Sequence, residues 1–279
     1  MGKFGNQLRL RVCKNDRIKQ TQRLIVIWGL CLLALVLGNE QALAGQLAER
    51  LANFPQWNKP IVQVAKGDLI YPEWMAGSWN VTSTLVDAVA PLAPDIVTPG
   101  FASNRDLSQP ISFTVKFVKA RQSKSIAQLS PVTTRSTVVA DRAFNGLSLA
   151  RAYLGDRNVF AVKVDPRSPN RQITLLKGDR TIVSIVSGRA TETPQPDQFI
   201  TTEVFQQFFR GADARPYFNQ VESTTAYHYL GRSRLKTIAA DQVTAVYLSP
   251  QDPDYFAANF RPVALYRYRL ELSSLDDAD

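Results

Sequence analysis

The sequence predicts an all-β protein, folded as an antiparallel barrel and preceded by a removable leader. Three observations predict it. From Trp79 onward the chain breaks into short alternating segments rich in β-branched and aromatic residues, each bounded by turn signals. No stretch shows the regular alternation of helix and strand that a parallel α/β sheet requires. The first 44 residues carry a basic end, an apolar run and an Ala-Leu-Ala, the layout of an export signal.

The leader comes first in the chain. Lys3, Arg9, Arg11, Lys14, Arg17, Lys19 and Arg23 precede an uncharged run from Leu24 to Leu37. That run falls short of the ~20 residues a bilayer core needs, so cleavage after Ala44 is expected, with an uncleaved anchor as the alternative. No twin arginine precedes the run, which favours the general secretory route. Cys31 sits inside the run, where a lipoprotein signal would not place it. Cys13 and Cys31 are the two cysteines of the whole chain. The exported part therefore has neither disulfides nor thiolate chemistry and must be held by its core alone.

Residues 45–67 read as a linker with a short helix over Gln46–Phe54, ended by Pro55. Residues 68–279 read as a single barrel domain. Strands are expected at 78–86, 111–119, 135–140, 143–152, 158–164, 172–177, 180–190, 199–209, 221–230, 233–239, 243–249 and 262–272. The alternation is plainest in Ile111-Ser-Phe-Thr-Val-Lys-Phe-Val and Val263-Ala-Leu-Tyr-Arg-Tyr-Arg-Leu. Lys177-Gly-Asp-Arg and Leu230-Gly-Arg read as tight hairpin connections. Val204–Arg210 has a competing reading as a helical turn, from the spacing of Phe205, Phe208 and Phe209. A barrel is preferred to a sandwich because closure removes edge strands.

The most specific passage is Asp68-Leu-Ile-Tyr-Pro-Glu-Trp-Met-Ala-Gly-Ser-Trp. Gly77-Ser78-Trp79 opens the first clear strand and resembles the G-x-W signature of lipocalins and other calycins. That resemblance implies a Trp79 stopper at the closed end of the barrel, covered by an arginine of the last strand through a cation–π contact. Arg267 and Arg269 are the two candidates, and the sequence does not choose between them. The Thr-Asp-Tyr that forms the second lipocalin signature is missing, which weakens the strict lipocalin reading and leaves the broader calycin one. Tyr71 to Trp79, with Ala90-Pro-Leu-Ala-Pro and Thr98-Pro-Gly-Phe, resembles an uncharacterised family of cyanobacteria and plant plastids, often lumenal. This implies a compartment, thylakoid lumen or periplasm, more than a chemistry.

Between Leu85 and Asn104 the chain carries Pro91, Pro94, Pro99 and Gly100. In a calycin-like barrel this loop covers the open mouth, with Phe101, Ile96 and Val97 as an apolar lid. The plainer reading is a surface loop tied down by Phe101.

The whole chain has 33 basic and 24 acidic residues, a net of +9. Without the leader the net falls to +4, and residues 105–180 carry a local excess of nine positive charges. Lys116, Lys119, Arg121 and Lys124 cluster near one connection. Such a cluster suits an anionic membrane surface or an acidic protein partner, or is simply a solvated face. Export argues against nucleic acid.

Enzyme chemistry finds little support. His228 is the only histidine and has no local carboxylate to orient it. Asp87 and Asp95 read as loop carboxylates, and Asp252-Pro-Asp254 lacks calcium-loop spacing. No phosphate-binding loop, dinucleotide fingerprint or nucleophile elbow appears, so neither a cofactor nor a metal is expected. The first expectation is a barrel holding a small apolar molecule such as a lipid, pigment or quinone-like compound. The second is a filled barrel serving as a structural or assembly partner of a membrane complex, a photosynthetic one as the family resemblance implies. A cofactor-free enzyme working through carboxylates ranks last.

Overall fold

The computed structural model describes residues 45–60, 62–98, 101–105, 109–121, 136–211, 215–232 and 236–275. The expected leader, with both cysteines, lies outside the described residues, as does Lys124. The chain divides at Gln46/Leu47 into two units. The unit from Leu47 holds all four buried clusters and therefore its whole core.

Twelve strands form one antiparallel sheet: β1 (Gln63–Val64), β2 (Ile70–Tyr71), β3 (Gly77–Val89), β4 (Ile111–Arg121), β5 (Ser136–Ala140), β6 (Val159–Asp165), β7 (Ser168–Leu176), β8 (Arg180–Glu192), β9 (Gln198–Arg210), β10 (Tyr217–Arg232), β11 (Lys236–Tyr247) and β12 (Ala264–Ser274). The helices are α1 (Gln46–Ala52), α2 (Phe101–Arg105), α3 (Arg142–Leu154) and α4 (Tyr255–Ala258). The sheet order is β2-β5-β4-β3-β12-β11-β10-β9-β8-β7-β6, with β1 on the edge of β8. Chain neighbours pair throughout β6–β12, and the long-range pairing of β12 with β3 curls the meander round. The curl stops short of closure, because the end strands of the sheet, β2 and β6, do not pair.

Helix α3 occupies that opening, packed against β4, β6 and β7. Along β4, β5 covers only Phe117–Arg121, which leaves the earlier part of that edge without a strand partner. Side chains of α3 supply what is missing. The Lys116 N–H donates to Asn145 Oδ1 at 2.7 Å, Asn145 Nδ2 donates to the Lys116 carbonyl at 3.0 Å, and the Thr114 N–H donates to Ser148 Oγ at 3.0 Å. Asn145 thus presents to β4 the donor and acceptor that a neighbouring strand would offer.

This segment, 143–152, is the one expected strand that is a helix. Asp141 caps it by accepting from the Phe144 N–H at 3.1 Å, and Ala, Leu and Arg are good helix formers. The alternation in Leu-Ser-Leu-Ala-Arg-Ala belongs to a helix that sits in a wall and buries no residue fully. Two smaller differences concern β10 and β11. Of the expected strands 233–239 and 243–249, residues 236–239 and 243–247 both belong to β11, since Gln242 continues the ladder opposite Thr225. Gly231, at φ +84°, falls at an irregularity within β10 and not at a hairpin turn. Val204–Arg210 is extended and paired on both sides. The Lys177–Arg180 connection is a tight hairpin with Gly178 and Asp179 both left-handed.

Residues 47–60 and 62–67 are part of the fold of the unit from Leu47. α1 buries Leu47 and Leu51, with Trp57, against Val243, Ala245, Tyr247 and Leu265 on the outer face of the sheet. β1 then pairs with β8.

Replacing Asn145 with Ala strips the β4 edge of a donor and an acceptor at once. The expected loss is about 1–3 kcal/mol, read from urea denaturation. A loss near zero would show that water serves this edge equally well.

Candidate functional site

The concave face is filled at one end. Trp79 has no exposed surface and packs with Met75, Val81, Phe117, Ile238 and Leu272. Its indole N–H donates to the Met75 carbonyl at 2.8 Å. Gly77, at φ +123°, turns the chain from the 3-10 turn Glu73–Met75 into β3, a conformation that disfavours any side chain. Tyr71 crosses this end, touching Phe117 of β4 and Phe199 of β9.

Above the plug lies a polar layer. Glu203 of β9 accepts from Arg189 Nη2 at 2.7 Å and from Arg142 Nη2 at 3.1 Å. Arg189 also donates to Asn170 Oδ1 at 2.9 Å, and Arg142 lies 3.5 Å from Asp68. Burial would lower the pKa of Arg142, but the Glu203 carboxylate outweighs it and holds the guanidinium firmly charged. Burial pushes the Tyr71 phenol well up, reinforced by Tyr227 and Glu203. Burial also pushes Tyr227 up to about 12, with Glu203 adding to the shift and a hydrogen bond from Thr225 opposing it. The charges of this layer satisfy one another, so it acts as a floor.

Past the floor the burial pattern inverts. On β11 the outward-facing Val243, Ala245 and Tyr247 are buried under α1 and its flanking segment, whereas the inward-facing Gln242, Thr244 and Val246 between them keep part of their surface accessible. Inward Tyr268 is likewise only partly buried, and Gln242 Nε2 donates to Ser223 Oγ at 2.7 Å and to Thr225 Oγ1 at 3.1 Å. The phenol of Tyr268 is pushed up by burial and by Tyr153 and Tyr266, so it stays a neutral donor. A groove of about 560 Å³ also runs between α3 and β4, with Phe113, an inward-facing residue of β4, in its wall.

Phe101 covers part of the mouth. It lies on α2, packs against inward-facing Tyr266 at 5.8 Å between ring centroids and joins a cluster with Ala264, Leu85 and Val246. Asn104 Nδ2 donates to the Tyr266 hydroxyl at 3.3 Å. Ile96 joins the neighbouring cluster of Leu92, Ala258 and Val263. Val97, the third expected lid residue, is exposed.

The expected guanidinium over Trp79 is not formed. Inward positions on β12 are the even-numbered ones, so Arg267 and Arg269 face outward. Trp79 instead stands opposite Ser274. Arg267 holds Asp241 through two bonds of 2.9 and 2.6 Å and lies 5.2 Å from the Phe54 ring centroid. Arg269 is exposed. The expected basic cluster is also partly engaged within the chain. Lys116 Nζ sits 4.2 Å over the Phe144 ring, and Lys119 pairs with Glu73 at 3.4 Å. Arg121 ends β4, and its side chain lies outside the described residues.

His228 has a carboxylate neighbour that the sequence did not reveal, Asp197 at 3.3 Å. Both are about half exposed, so they form a surface pair and not a buried catalytic dyad. Among the described residues no group of three or more His, Cys, Asp or Glu is placed to hold a metal ion, and no helix is long and apolar enough to cross a membrane. Two sets of residues escaped the sequence reading: the Arg142–Glu203–Arg189 floor and the buried Glu222 of the outer wall. Glu222 accepts from Arg50, from Trp57 Nε1 at 3.3 Å and from the Tyr247 hydroxyl at 2.9 Å. Glu203 and Glu222 carry a legible signal, a mid-strand carboxylate flanked by a valine on one side and a hydroxylated residue on the other.

A family described as a domain of unknown function, DUF6816, matches residues 63–276. The chain belongs to this family. No curated protein and no solved structure matches it. The DUF6816 match begins at β1 and ends just beyond β12, so it takes in the floor, the inward face of the sheet and α3, but not α1.

Two measurements check the floor. Replacing Glu203 with Gln leaves Arg189 without its carboxylate and Arg142 with Asp68 alone, and is expected to cost about 3 kcal/mol in chemical denaturation at neutral pH. The tyrosines set an alkaline limit. Their folded pKa values lie above the ordinary ~10, so the stability they contribute is complete below that pH. It falls as pH rises from there toward the folded value of about 12 for Tyr227. A melting temperature that stays level across this window would contradict that burial.

Proposed function

We propose that the protein is an exported binding protein of calycin-like design that holds a small apolar molecule with a polar handle in the upper lumen. A lipid, pigment or quinone-like compound in a thylakoid lumen or periplasm fits this reading. The observation that carries it is the inverted burial on β11, where the outer wall is sealed and the inner wall is not. A protein that needed only a packed barrel would gain by burying the inner face first. The lining offers hydrocarbon from Val221, Val246 and Phe205, and neutral polar groups from Gln242, Thr244 and Tyr268. That mixture of apolar wall and few polar anchors is the usual make-up of small-molecule sites. The leader reading supports export, and the family resemblance supports the compartment.

The test is organic extraction of the protein purified from its own export compartment, followed by mass spectrometry. One apolar compound per chain is the expected result. Replacing Thr244 with Trp places an indole in the lumen and should abolish that compound while the far-ultraviolet circular dichroism is kept. A clean extract from the wild type, together with no uptake of a fluorescent polyene alcohol, would overturn the proposal in favour of a filled barrel that serves an assembly.

A further inference from the structure

Beside the mouth, the chain turns through α4 and the residues after it, and this turn carries aromatic side chains that the fold does not use. Phe256 is 87 % exposed and Phe260 62 %. Tyr255 stands between them, edge-on to each ring at 5.4 and 5.8 Å. Asn259 and Phe260 take φ of +49° and +57°, and the left-handed region is unfavourable for a bulky side chain. The backbone thus bears strain at a residue whose ring stands largely in water.

Next to this knuckle lies a pocket of about 250 Å³, set against the ends of β9, β10 and β11. The charged residues that line it are Lys59 and Arg261, with no carboxylate. Lys59 Nζ lies 5.7 Å from the Phe260 ring centroid. Arg261 Nε donates to the Ala258 carbonyl at 3.3 Å, which leaves the two terminal nitrogens of its guanidinium directed elsewhere. Among the described residues neither cation forms an ion pair. Of the acids on the same loop, Asp252 is occupied by the Ser249 N–H at 2.7 Å and the Tyr217 hydroxyl at 3.1 Å, and Asp254 opens α4.

We infer that this knuckle docks the protein on an anionic lipid bilayer, with Phe256 and Phe260 entering the headgroup–acyl boundary and Lys59 and Arg261 meeting lipid phosphates. Exposed rings flanked by unpaired cations are what an anionic interface attracts. Two rings standing out this far make a convex projection. A protein partner would need a broad complementary surface of ~800 Å², whereas a bilayer accepts a projection of any outline. Ala258, at the base of the knuckle, packs with Leu92, Ile96 and Val263 beside the lid, so docking turns the mouth toward the lipid. The inference stands on the rim alone and does not depend on what fills the lumen.

The test uses residues 45–279, because the apolar leader would itself partition into lipid. Sedimentation with vesicles of mixed phosphatidylglycerol and phosphatidylcholine is compared with phosphatidylcholine alone. Binding to the mixed vesicles that weakens with added salt is expected. Phe256→Ala and Phe260→Gly should each lower partitioning about ten-fold or more. Glycine suits the left-handed backbone at 260, so the melting temperature of Phe260→Gly should hold or rise. Lys59→Gln and Arg261→Gln should each cost about five-fold, on the mixed vesicles only. Equal binding to both vesicle types, no binding to either, or unchanged binding by the double phenylalanine variant would overturn the proposal.

Discussion

The structure depends on how a curled sheet treats a seam that its own strands do not close. A sheet that ends at β2 and β6, and whose β5 covers only Phe117–Arg121 of β4, leaves earlier backbone groups of β4 without a strand partner. Unpaired edge groups are costly when shielded from water and hazardous when exposed. Helix α3 answers both problems with two polar side chains, Asn145 and Ser148, aimed at the β4 backbone. Because a helix fills the seam in place of a strand, the wall there is made of side chains and can leave a groove between α3 and β4. The same helix carries Arg142 at its start, so the seam is also tied to Glu203 across the lumen.

A second consequence follows from where hydrophobic burial is placed. In a filled barrel the inward face supplies most of the core. Here the Trp79 end does so, but farther along much of the burial moves to the outside, where α1, Phe54 and Trp57 cover β9 to β12. Glu222 fastens that cover. It lies fully buried beneath Arg50, whose guanidinium also stacks 4.0 Å from the Trp57 ring centroid and donates to the Asn58 carbonyl at 2.5 Å. A buried carboxylate is tolerable only with its charge paired and its lone pairs occupied, and Arg50, Trp57, Tyr247 and Thr224 do both. Stability drawn from the outer wall relieves the lumen of the need to be filled.

The sequence showed most of the strands because period-two alternation is a local property, and β4 and β12 carry it cleanly. It showed Trp79 and Phe101 as buried anchors because large aromatics beside Gly and Pro have few other uses. It misread 143–152 because Leu147-Ser-Leu149 alternates over too few residues to separate a strand from a helix, and Asp141 was the better signal. It placed Arg267 and Arg269 over Trp79 through a family pattern. Which face an arginine takes is set by the register of β12 on β3, a long-range property that residue spacing alone does not carry. The Arg50–Glu222 and Arg142–Glu203 contacts join residues 172 and 61 positions apart, and only the fold brings them together.

The chemistry open to a guest follows from which polar groups the fold has already used. Arg142 and Arg189 are consumed by Glu203, so the floor presents no free charge to a ligand. Above it stand an amide, hydroxyls and phenols, and burial keeps the Tyr268 phenol protonated far beyond physiological pH. A charged guest would lose its hydration there without gaining a counter-ion. A guest with a hydrocarbon body and a carbonyl or hydroxyl would trade water for the wall and for neutral donors at little cost. On the proposed reading the lumen would discriminate by what it withholds, and the cations Lys59 and Arg261 lie outside it, on the rim.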